Sequence, residues 1–156
     1  MDTILEQPTA TVREAAHDDI PRIVEMGMRF AGEEYARFLT ADPVHLAALT
    51  RQFIDSPDVA VLVVDPSVGP LTGMMAMTMY VHPMSQERVA TEVVWWMEPE
   101  ARGSKDALRL LRASEAWART NGASRLQMIA PTDHVGQFYE RLGFSKVETH
   151  YQRSLL

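Results

Sequence analysis

Apolar residues along this chain change their spacing repeatedly, and each change marks an element. Thr11-Val12-Arg13-Glu14-Ala15 reads as a short first strand. Ile20, Ile23, Val24 and Gly27 then recur at helical spacing, so one face of the next segment is apolar. His17-Asp18-Asp19 supplies cap chemistry and negative charge ahead of that helix, and Pro21 stands in its first turn. A second helix is predicted from Pro43 to Ile54, with Leu46, Leu49 and Phe53 as its stripe and Ser56-Pro57-Asp58 as its end.

The middle of the chain is strand-like. Val59–Val64 is a continuous run rich in β-branched residues, closed by a turn at Asp65-Pro66-Ser67-Val68-Gly69-Pro70. Gly73–Val81 and Val89–Glu98 follow as antiparallel strands around the polar stretch His82–Arg88. Strict alternation puts Glu92, Val94 and Trp96 on one face of the latter strand and Val93, Trp95 and Met97 on the other. Both faces are mostly apolar, which predicts a central strand on which Glu92 is the odd residue. A helix begins near Ser104, with Ala107, Leu110, Leu111, Ser114, Trp117 and Ala118 as its buried stripe and Asn121-Gly122 as its stop. Leu126–Ala130 reads as a strand, Asp133–Leu142 as a short helix closed by Gly143, and Phe144–Ser154 as a final strand. The order β-α-α-β-β-β-α-β-α-β predicts an α/β layered protein with a mixed sheet.

Composition narrows the classes. At 156 residues the chain fits one domain, residues 1–156, large enough for a real core. A net charge of −6 argues against a nucleic-acid partner. With no cysteine there is no disulfide, thiolate metal site or cysteine nucleophile. The five histidines (17, 45, 82, 134 and 150) lack spacings such as His-x-x-x-His, and no metal is expected. Met1–Thr11 lacks the basic flank and apolar run of a signal peptide, and no segment has the length of a membrane span, so a cytoplasmic protein is expected.

Two segments carry chemistry. The central strand with Glu92 feeds a loop containing Arg102-Gly103, which opens directly into a helix. Unsatisfied N–H groups and partial positive charge at a helix start suit a phosphate or pyrophosphate. Gly103 permits close backbone approach, while Arg102 and Lys105 add countercharge. Any α/β protein has such junctions, so this segment alone is also consistent with an ordinary connection. The second segment is Phe138-Tyr139-Glu140-Arg141-Leu142-Gly143-Phe144, which leaves a short helix.

Together these segments resemble the GNAT superfamily of acetyl-CoA-dependent N-acetyltransferases. The family's pyrophosphate loop usually reads Arg-Gly-x-Gly-x-Gly or Ala, with Leu-Leu soon after. Here Arg102-Gly103-Ser104-Lys105-Asp106-Ala107 precedes Leu110-Leu111, and Tyr139 through Gly143-Phe144 is similar to the family's Tyr-x-x-x-Gly-Phe. Arg13-x-Ala15 with Asp19-Ile20-Pro21 is similar to its first strand and helix, so the likeness runs from about Thr11 to Ser154. Two positions depart: Lys105 replaces the middle glycine, and Asp106 brings a negative charge toward the anion site. The Asn common before the last helix is missing, with Thr132 or Asp133 near its place. The compact size and the Trp95-Trp96-x-x-Pro99 loop are similar to short family members in tailed-phage genomes.

The resemblance implies the GNAT fold, acetyl-CoA as cosubstrate, and an amine acceptor. It casts Glu92 as general base and Tyr139 as the acid that protonates the coenzyme A sulfur. It assigns cofactor binding to the backbone at Trp96 and Met97, the former pair also offering an oxyanion donor, and to Arg102, Gly103, Ser104, Lys105, Asp106 and Ala107. The alternatives are a Glu92 carboxylate paired with a neighbouring Arg or exposed beside the next strand, a Tyr139 that is a core aromatic, and a GNAT-like fold kept as a non-catalytic binding or structural module. The methionines at 74, 75, 77 and 79 read as core fillers rather than a pocket lining. Acceptor-binding elements are implied at Phe30–Thr40 and His82–Arg88; Glu33, Glu34 and Asp42 favour a cationic acceptor, against Arg37 and Arg88. The acceptor's identity and a homodimer are left open.

Overall fold

The computed structural model describes residues 10–156, so most of the Met1–Thr11 segment lies outside the described residues. Five strands, β1 (Thr11–Glu14), β2 (Val59–Asp65), β3 (Gly73–Val81), β4 (Arg88–Met97) and β5 (Arg125–Gln127), form one sheet in sequence order. β1 to β4 are antiparallel neighbours. β5 runs parallel to β4, a pairing that requires the crossover helix between them. The helices are α1 (Ile20–Phe30), α2 (Pro43–Asp55), α3 (Lys105–Thr120) and α4 (Asp133–Arg141). Asp42, Ser104 and Thr132 cap the last three by accepting from the N–H groups of Val44, Asp106 and Val135. Asp19, expected to cap α1, makes no side-chain cap hydrogen bond because Arg13 and the Ala16 N–H occupy its carboxylate.

The sheet is buried on both faces. One face packs Leu62, Met75, Met77 and Ala90 against Leu110 and Leu111 of α3. The other packs Val61, Val63, Met74 and Ala76 against Ile23 and Met26 of α1. This is the mixed α/β layer arrangement expected from the element order. Met74, Met75 and Met77 are core residues, their flexible side chains filling both layers. The first strand is tied to the first helix by Arg13, which reaches Asp19 at 2.7 Å and Asp65 at 2.8 Å.

Two sequence expectations are corrected. The register of β3 with β4 pairs Ala76 with Val94 but Met77 with Glu92, so Val93 is an extra residue in β4. Such a bulge reverses which face later side chains take. Val94 and Trp96 therefore belong to the α1 layer, whereas Glu92 shares the α3 layer with Trp95 and Met97. Secondly, the strand expected over Phe144–Ser154 is absent, and residues 142–156 carry no regular element. Val147 and Tyr151 are exposed there, so the alternating pattern of that segment meets no partner among the described residues.

Candidate active site

β4 and β5 pair only through Val89, Ala90 and Thr91, against Arg125, Leu126 and Gln127. Beyond Thr91 the two strands part, and the next residue of β4 is Glu92. The Glu92 carboxylate bridges the resulting fork: its Oε2 accepts from the backbone N–H of Ile129 at 3.0 Å. The same oxygen accepts from the hydroxyl of Tyr139, on α4, at 3.3 Å. Tyr139 also reaches the carbonyl of Ile129 at 3.3 Å and stacks on Trp95, ring centroids 6.1 Å apart. Phe138 and Phe144 close the aromatic cluster, which explains why the motif carries aromatics at both places. Glu92 is thus not paired with an arginine.

Burial sets the electrostatics. Glu92 is 7% exposed. Loss of water pushes its carboxyl from 4.5 up to about 7, although the Ile129 N–H and the Tyr139 hydroxyl pull the other way. Burial, and after it the charge and hydrogen bond of Glu92, hold the Tyr139 phenol well above its ordinary range. Tyr139 therefore keeps its proton and donates. Tyr35 is raised as well, by burial first and then by the charges of Glu92 and Glu34, which puts its ring within electrostatic reach of the fork.

The helix start that the sequence marks as a candidate anion site lies at the other end of β4. The chain passes through a single 3-10 turn at Pro99–Ala101 and enters α3, whose N-cap Ser104 uses its hydroxyl oxygen on the Asp106 N–H at 3.3 Å. Other first-turn N–H groups are left for a ligand. Gly103 adopts φ +75°, and a Cβ built there would meet nothing within 4 Å, so the backbone faces open space. Asp106 turns its carboxylate to Arg109 at 2.9 Å, which offsets the negative charge that departs from the family motif. Arg102 is committed elsewhere. Its Nε donates to the Met97 carbonyl at 3.0 Å, its two terminal nitrogens hold Glu33 at 3.0 Å each, and the guanidinium lies over Trp96. Lys105, exposed at the helix start, is thus the freer cation. The open β4 edge, the helix start and the bare Gly103 together fit a long ligand with an anionic end. Among the described residues, no cluster of His, Cys, Asp or Glu is placed to hold a metal, and no helix is long and apolar enough to cross a membrane.

The acetyltransferase (GNAT) family model matches residues 28–144. The chain belongs to this family. No curated protein sequence matches it. Solved structures share the GNAT fold. A Bacillus halodurans protein described as a transcriptional regulator superposes with a TM-score of 0.75 at 21% identity, covering 94% of this chain and 99% of that one. A Clostridium acetobutylicum protein described as a predicted acetyltransferase, solved with acetyl-CoA, gives 0.79 at 15% identity over 94% and 97%. The aminoglycoside N-acetyltransferase AAC(6′)-Iy in complex with CoA gives 0.79 at 14% identity over 98% and 99%. Two of these neighbours thus hold acetyl-CoA or CoA.

Four further features belong to this GNAT domain. Glu98, only 1% exposed, is held by Arg22 at 3.2 Å and Arg29 at 2.6 Å, locking α1 to the end of β4 just before the anion loop. The signal was present: Arg22 and Arg29 stand seven residues apart, on one helix face. Tyr35 ends a five-residue π-helical turn, Ala31–Tyr35, that continues α1. Beneath it, α1, α2, β3 and β4 enclose a cavity of about 460 Å³. His82 folds onto its own loop, its Nδ1 meeting the Met84 N–H at 3.2 Å.

Proposed function

We propose that this protein transfers the acetyl group of acetyl-CoA to a primary amine, by direct attack in a ternary complex. One observation carries the reading: a buried carboxylate and a phenol share a hydrogen bond at the fork of β4 and β5. Acetyl-CoA supplies a thioester, in which the amine nitrogen bonds the acetyl carbon while the carbon–sulfur bond breaks and its electron pair leaves on sulfur.

An alkylammonium has a pKa near about 10.4, so a base must remove a proton before attack. Glu92, with its carboxyl at about 7, is matched to that task near neutral pH. Taking the proton cancels its charge, and with the charge goes part of what holds the Tyr139 proton. The phenol becomes the better acid at the stage where the departing sulfur needs a proton. Tyr139 gives up its hydroxyl proton there and recovers one from Glu92 along their hydrogen bond. The second proton lost by the nitrogen leaves through Glu92, so one proton per turnover of an ammonium reaches solvent. A 3.3 Å separation is long for a relay, as catalytic hydrogen bonds often are before substrate tightens them. A coenzyme A thioester as cosubstrate supports a cytoplasmic place of work.

The test is thiol release followed against pH; with no cysteine in the chain, coenzyme A is the single thiol source. Wild-type kcat/KM should rise through about pH 7, where the buried Glu92 carboxyl loses its proton. Glu92→Gln should lose this inflection, and Tyr139→Phe should lower kcat by roughly 10²-fold with acetyl-CoA affinity kept. A Glu92→Gln defect that is the same at every pH would assign Glu92 to positioning alone.

A further inference from the structure

The cavity beneath the π-helical turn speaks to the acceptor. Its walls are Phe30 from α1, Leu46, Leu49 and Phe53 from α2, and Met74 and Val94 from the sheet. Val93, the bulged residue directly after Glu92, also lines it, as does Tyr35. The inner end of the cavity therefore adjoins the fork. Tyr35, whose titration responds to the Glu92 charge, marks the same end. The Tyr35 hydroxyl has no hydrogen-bond partner among the described residues.

Charge is scarce in this lining. Asp42 is its single carboxylate; it stands exposed at the start of α2 and already accepts from the Val44 N–H at 2.9 Å. Glu33, which the sequence assigns to an acidic acceptor region, is held by both terminal nitrogens of Arg102 and is not part of the wall. A polyamine or an aminoglycoside would bring several ammonium groups into contact with Leu, Phe and Met, with the exposed Asp42 as the one lining carboxylate to meet them. Desolvating even one unpaired charge is costly. A volume of about 460 Å³ is ordinary for a small-molecule site. Since a dry apolar cavity of roughly 150 Å³ holds a benzene ring, this space suits a chain or ring system several times that size.

We propose that the acceptor is a monoamine on an apolar body, an alkyl or arylalkyl primary amine. Its body fills the cavity between α1, α2 and the sheet, and its amino group lies at the Val93–Tyr35 end, facing the fork of β4 and β5 through which the Glu92 carboxylate on the α3 side is reached. This rests on the acetyl-transfer reading for the chemistry, but not for the fit of the body. It also separates this chain from the aminoglycoside acetyltransferase whose fold it shares.

The experiment uses straight-chain primary amines from butylamine to octylamine, 2-phenylethylamine, putrescine and kanamycin. Each is measured twice on the full chain: binding by calorimetry without acetyl-CoA, and coenzyme A release with it. Each added methylene should tighten binding, and raise kcat/KM, roughly fourfold until the cavity is full. Putrescine and kanamycin should lie at least tenfold below hexylamine. Leu49→Lys puts a cation in the wall and should weaken octylamine by more than tenfold while acetyl-CoA affinity is unchanged. Should that variant fold poorly, Leu39→Lys, at a lining residue that is 50% exposed, serves the same purpose. Binding that is flat along the series, or a preference for kanamycin or putrescine, overturns the inference even when thiol is released. Chain-length-dependent binding without any thiol release overturns the transfer reading and leaves the cavity's ligand class standing.

Discussion

Replacing Glu92 by Gln should make the protein more stable at pH 8, at the expense of its activity. The carboxyl lies at about 7 in the folded state against an ordinary 4.5. Between those values the folded state binds more protons than the unfolded chain, so unfolding free energy falls as pH rises across the window. The protonated acid is accommodated at no penalty below pH 4.5, and the full penalty of the buried carboxylate is reached above pH 7. A displacement of that size corresponds to about 3 kcal/mol. Gln carries no charge and can still accept from Ile129 and Tyr139, but its amide N–H donors add a cost of about 1 kcal/mol if they find no acceptor. The net gain at pH 8 is then about 2 kcal/mol, or roughly 4–8 °C in Tm for a domain of this size. At pH 4.5 and below the order should reverse by about 1 kcal/mol. Thermal unfolding of both proteins at pH 4.5, 6 and 8 reads this directly. A difference between them that stays constant or shrinks as pH rises would mean that Glu92 is hydrated, and the account of its basicity would fall with it.

Two further outcomes test the anion end of β4. Glu98→Ala removes the partner of two arginines at a nearly sealed site and should cost about 3 kcal/mol, seen as a lower urea midpoint with an unchanged slope; a loss under 1 kcal/mol would show that Arg22 and Arg29 find water instead. Gly103→Ala adds a methyl group at φ +75° into open space, so it should cost about 1 kcal/mol of stability and weaken acetyl-CoA binding. An unchanged Kd by calorimetry would place the pyrophosphate elsewhere.

Most of the sheet and its helices were legible because local chemistry and tertiary packing agree. The β-branched run at Val59 has no helical alternative, and Asp42 and Ser104 cap the helices that follow them. The pairing of Glu92 with Tyr139 rested on motif context, and the hydrogen bond between them is geometry that no spacing displays. The bulge was hidden for a definite reason. From Val93 to Met97 nearly every residue is apolar, so inserting one residue leaves no break in the pattern. Residues 144–154 show the converse, since Val147, Thr149 and Tyr151 alternate like a strand yet find no partner to pair with among the described residues. The stripe Leu46, Leu49 and Phe53 faces inward as its spacing predicts, but onto a cavity. Periodicity identifies an apolar face without saying whether protein or ligand covers it. Arg102 likewise matched a phosphate motif, while its fork-shaped head is matched in space by Glu33.

The bulge at Val93 divides β4 into two stretches that can be inherited separately. Upstream, Glu92 faces the α3 layer, where Tyr139 and Ile129 constrain it. Downstream, Val94 faces the α1 layer and the cavity wall. A lineage of such proteins can therefore exchange side chains on the downstream stretch, and on the helices above it, to suit a new acceptor without disturbing the proton-handling pair. The extra residue itself lines the cavity. Deleting Val93 would set Glu92 and Val94 next to each other opposite Met77 and Ala76, and simple alternation would keep the carboxylate on the α3 face and Val94 and Trp96 on the α1 face. A change of length at this one position would therefore alter the cavity wall and leave the facing of Glu92 as it is.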